Sequence, residues 1–125
     1  MPLPTHVLNW FAGWIAILAA FLCGAGIGLF FHSESFLGGY ASFRRRIVRL
    51  GHISFAALGM INLLFAYSPW PAPGKAASLL LAGGTFAMPI VCFLTGWRAQ
   101  FRQLFFIPLS MLVGAVVLIL LGGNP

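Results

Sequence analysis

Acidic residues are almost absent from this chain. Glu34 is the single carboxylate among 125 residues, against seven lysines and arginines, for a formal net charge of +6. A proton- or cation-coupled carrier needs an ionisable group at mid-membrane depth, and no Asp, Glu, Lys or Arg occupies one. Small exporters built around a carboxylate in the first span are excluded on the same ground. Charge of either sign is scarce, at 6% of residues, where soluble domains average about 25%. Such a chain cannot build a polar shell, so lipid or other membrane proteins must solvate it. Cysteine is scarce as well. Cys23 and Cys92 both fall in apolar segments and no CxxC occurs, which leaves thiol-redox and zinc readings without support. A hydrolase would need a nucleophile beside its base, and Ser54, Ser110 and Thr95 have no evident histidine partner at the right depth.

What the chain has is apolar length. Hydrophobic residues make up 61% of it. On a window of about 20 residues four spans emerge, at roughly 7–31, 47–67, 76–97 and 104–121. The first, about 25 residues, is too long for a signal-peptide core of about 7–15 and reads as a retained span. At about 1.5 Å per residue each can cross a hydrocarbon core of about 30 Å. The expected fold is one all-α integral membrane domain over residues 1–125, four transmembrane helices in an antiparallel bundle. A barrel is ruled out by the absence of two-residue alternation.

The connections fit this plan. Loop one, HSESFLGGYASFRRR, is broken by Gly38 and Gly39. Loop two, YSPWPAPGK, holds three prolines, which stop a helix. Loop three, RAQFRQ, is short enough to make spans three and four antiparallel neighbours. Arg44, Arg45, Arg46, Arg49, Arg98 and Arg102 flank loops one and three, and Lys75 alone lies in loop two. This bias puts loops one and three in the cytoplasm and both termini on the outer, periplasmic side, with a bacterial inner membrane as the expected location. Trp10, Trp14, Tyr67, Trp70 and Trp97 fall near the expected interfaces. Nucleic acid is not an expected partner, because the basic residues sit in loops between spans.

Several residues could carry more than topology. Ala12, Ala16, Ala20, Gly24 and Gly28 place a small residue at every fourth position of span one, a pattern that lets another helix approach closely. The seam could face another span or a partner chain. Gly59 and Asn62 in span two extend the packing candidates, Asn62 as a hydrogen-bonding group between helices. His52, three residues after Arg49, fits an interfacial anchor. It also fits a ligand, since His32 ends span one on the same side and a bis-histidine pair there could hold a b-type haem. A His32, Glu34, His52 metal set fits by ligand type, although the spacing gives it no support. Arg44, Arg45, Arg46 and Arg49 are candidate contacts for anionic lipid headgroups or an acidic partner surface.

With no catalytic constellation and almost no mass outside the spans, the chain is expected to be an accessory subunit of a larger inner-membrane complex. An energy-converting host, respiratory or photosynthetic and so engaged in electron transport, is the expected context. The alternatives are a small homo-oligomeric channel or carrier for a neutral or anionic solute, lined by Asn62 and His52, and a bis-histidine haem protein.

Overall fold

A computed structural model describes residues 6–68 and 74–122. It contains four long helices: α1 (Val7–Phe30), α2 (Phe43–Ala66), α3 (Gly74–Trp97) and α4 (Phe106–Gly122). Short 3₁₀ turns at Phe36–Gly38 and Ala99–Phe105 precede α2 and α4. No strand occurs among the described residues. The model has four helices long and apolar enough to cross a membrane, which is the character of an integral membrane protein. The proline-rich part of loop two, with Trp70, lies outside the described residues.

Consecutive helices pack side by side and run antiparallel. The His6 N–H donates to the Ala66 carbonyl at 3.3 Å, joining the start of α1 to the end of α2. The Arg44 Nε donates to the Gly96 carbonyl at 2.8 Å, joining the start of α2 to the end of α3. Gly83 meets Met111 and Gly84 meets Leu112, which sets α3 against α4. Helix α3 is the centre of the bundle, half buried along its apolar window, whereas α4 and its lead-in are 11% buried and lie at the edge. Helix α1 also reaches α3.

Helix α2 starts at Phe43, four residues before the apolar run that marks it in the sequence. Ser42 explains the difference. Its Oγ accepts from the Arg45 N–H at 3.1 Å and donates to the Leu37 carbonyl at 2.6 Å, so it caps the helix and closes loop one together. Leu37, Gly38 and Gly39 take φ values of 53°, 85° and 98°, a left-handed run that turns the chain sharply back. Arginines 44 to 46 are therefore helical residues of the first turn, not loop residues.

The tightest interface is α1 on α2. A Cβ added at Gly59 would sit 3.0 Å from the Gly13 carbonyl oxygen and 3.2 Å from the Ala16 Cβ. Backbone approaches backbone there because Gly13 and Gly59 face each other without side chains. Ala12, Ala16 and Ala20 are all buried. Ala16 and Ala20 pack with Phe55 into a core flanked by Phe86 and Phe93. A second core joins Phe65, Leu81 and Ala115 and ties α2, α3 and α4 together.

Candidate functional site

Three polar features stand out inside or against this apolar frame. The first is a buried network at the end of the bundle where α1 begins. The Asn9 Nδ2 donates to the Asn62 Oδ1 at 2.8 Å and to the Ser78 carbonyl at 3.2 Å. The Ser78 hydroxyl donates to the Asn9 Oδ1. The Asn62 Nδ2 donates to the Thr85 Oγ1 at 2.6 Å and to its own helix at Leu58. The Thr85 hydroxyl donates to the Leu81 carbonyl. Asn9, Asn62 and Thr85 are fully buried and Ser78 is nearly so. The network spans α1, α2 and α3, and each side-chain amide is engaged on both its nitrogen and its oxygen. In hydrocarbon an unsatisfied amide is costly, so such a cluster fixes the register of the three helices. Asn9, Ser78 and Thr85 were not singled out from the sequence. Their signal was available as uncharged polar residues inside apolar spans, a class that usually turns toward the bundle interior.

The second feature is Arg45. Grouped with its neighbours in the sequence as a headgroup contact, it points inward instead and is 1% exposed. Its guanidinium lies 3.9 Å from the Tyr40 ring centroid and 4.1 Å from that of Phe31, with Phe36 further out at 5.7 Å. Its terminal nitrogens donate to the carbonyls of Phe31 and Ser33. The Phe31 carbonyl, at the C-cap of α1, has no helical partner and lies at the negative pole of the helix dipole, so a cation is the fitting cap, and the Ser33 carbonyl belongs to the turn just beyond. The aromatic faces supply the rest of the charge compensation. Arg45 is thus the pin that holds loop one against the end of α1. Arg45→Gln is expected to speed amide hydrogen exchange in residues 32–42 about tenfold, since the cation–π and carbonyl contacts go together. Arg46→Gln, at an exposed position of the same turn, should leave those rates unchanged.

The third feature is a cleft of about 310 Å³ between α1 and α2, lined by Gly24, Ile27, Gly28, Phe31, Arg49, His52 and Ile53. The His52 ring lies directly over Gly24, where an added Cβ would come within 2.7 Å of its Cε1. The His52 Nδ1 is enclosed and has no hydrogen-bond partner. The Arg49 guanidinium leans over the mouth, 5.6 Å from the Phe31 ring centroid.

The remaining sequence candidates divide clearly. His32 is exposed at the end of α1 and is not among the residues lining the cleft that holds His52. No group of three His, Cys, Asp or Glu side chains suited to a metal forms among the described residues. Gly24 is half-buried beneath His52, and Gly28 is exposed with open space around its Cα. Arg44 is engaged with the end of α3, and Arg46 and Arg49 are exposed. Asn62 and His52 share no cavity: one is sealed in the network, and the other opens sideways onto the cleft. Comparison of the chain with protein-family models, with curated proteins and with solved structures gave no match.

Proposed function

We propose that this chain is an accessory transmembrane subunit of a larger complex in a bacterial inner membrane. Loops one and three lie on the cytoplasmic side, and both termini lie opposite. The observation that carries this reading is the interior closed around Asn62. The amides of Asn9 and Asn62 and the hydroxyls of Ser78 and Thr85, which could line a solute path, are spent on each other and on backbone carbonyls. The outside of the bundle offers the surface for recognition. Exposed apolar side chains line α1 at Phe11, Leu18, Phe21 and Leu22, and α4 at Val113, Val117 and Leu120. In a membrane these surfaces meet lipid or the helices of neighbouring subunits. An energy-converting host, in which cofactors on larger subunits carry the electron transfer, leaves a small span protein the work of packing and lipid contact. The channel or carrier alternative needs Asn62 on an open path, and its complete burial speaks against that.

The test is mild-detergent purification of the tagged chain from its native membranes. The chain is expected to migrate in an assembly far larger than itself, with larger chains in fixed ratio. Two results would overturn the reading. One is a chain that runs alone as a small homo-oligomer. The other is reducible haem bands that travel with this chain alone and disappear in His52→Ala.

A further inference from the structure

We propose that the cleft between α1 and α2 at the arginine-rich end of the bundle binds one anionic phospholipid, with its phosphate on Arg49 and its glycerol and first acyl carbons over Gly28 and Gly24. The site follows from polarity that changes with depth. Arg49 stands at the mouth against Phe31 with the bare backbone of Gly28 level with it, and one turn further in His52 lies over Gly24 beside Ile53. A charged mouth that gives way inward to a mostly apolar floor follows the order of groups in an anionic phospholipid.

The charges favour this occupant. Glu34 is the only acid in the chain and does not line the cleft, and Arg45 and Arg44 are already held by carbonyls. Arg49 is the exposed guanidinium at this cleft, and its planar fork matches a phosphate diester. His52 lines the same cleft as Arg49 and adds a polar ring to its wall. The cleft opens sideways beside Ile53, which is exposed, and acyl chains would run from there toward the middle of the bundle. At about 310 Å³ it takes a head and the start of one chain, not a whole lipid. The site requires no partner subunit and stands whether or not the chain belongs to a complex.

Native mass spectrometry of the purified full chain, with phosphatidylglycerol or phosphatidylcholine added, tests this. One phosphatidylglycerol is expected to stay bound per chain, and phosphatidylcholine to be retained far less. Arg49→Gln should lower phosphatidylglycerol retention about fivefold. Gly28→Leu should do the same by filling the cleft, and it leaves the fold intact because nothing lies within 4 Å of the added Cβ. Gly26→Leu and Arg46→Gln are the controls, since neither residue lines this cleft, and retention should not change. The proposal is overturned if both lipids are retained equally, if Arg46→Gln weakens binding as much as Arg49→Gln, or if Gly28→Leu has no effect. A photo-crosslinking residue at position 28, used in native membranes, should give a lipid adduct. An adduct to another protein there would instead make the cleft a docking site for a partner helix.

Discussion

Gly59→Leu is expected to pry α1 away from α2 at a cost of about 3 kcal/mol, the upper part of the range for overpacking. The reason is that the obstruction is backbone. A leucine at an ordinary packed position can be accommodated by a neighbouring side chain changing rotamer. At Gly59 the nearest atom is the Gly13 carbonyl oxygen, with the Ile17 Cγ1 also at 3.0 Å, so the helix itself must move. Movement of α1 then pulls Asn9 from Asn62 and separates Ala16 and Ala20 from Phe55, so the loss spreads beyond one contact. The measurement is a denaturation midpoint in mixed micelles, followed by tryptophan fluorescence. Gly26→Leu, on an open part of α1, should leave the midpoint near that of the parent chain. Equal midpoints for Gly59→Leu and the parent would show that α1 is not held at this crossing.

The same crossing shows how far the sequence could be read. Four apolar stretches fix four helices because the period and length of a membrane span leave little else. The small-residue ladder was visible too, but its destination was not. A step of four residues advances about 40° round a helix at about 100° per residue, so a ladder cannot keep one heading along the whole of α1. Ala12, Ala16 and Ala20 are buried, Gly24 lies under a histidine, and Gly28 stands in open space. Hydropathy also marks a slab of solvent, not the ends of a helix. It places the start of span two at Ile47, whereas hydrogen bonding through Ser42 starts α2 at Phe43 and carries Arg45 inward. The histidine cleft depends on which residues of α1 and α2 come level, which no single-sequence pattern encodes.

The buried amides are the sharpest case of this, because the polar residues stand out one by one in the apolar spans and their pairing across three helices does not. A thermodynamic cycle on Asn9 and Asn62 is expected to show strong coupling. Asn62→Leu should cost about 2 kcal/mol, because one Asn9 N–H then lies in the core with no acceptor. Asn9→Leu should cost a comparable amount, since it removes the partner of both the Asn62 oxygen and the Ser78 hydroxyl. The double variant should cost less than the sum by about 1 kcal/mol, within the range measured for hydrogen bonds between membrane helices. Two leucines face each other there without an orphaned amide, while Thr85 keeps its bond to the Leu81 carbonyl. Strict additivity would mean that the amides do not act as a unit and that side-chain packing alone sets the register. The folded double variant also bears on function. If it still enters the native assembly at the parent's level, the network serves only to align helices, as an accessory subunit requires. If it folds but a solute flux carried by the parent chain disappears, the amides were lining a path, and the closed interior is one state of a carrier.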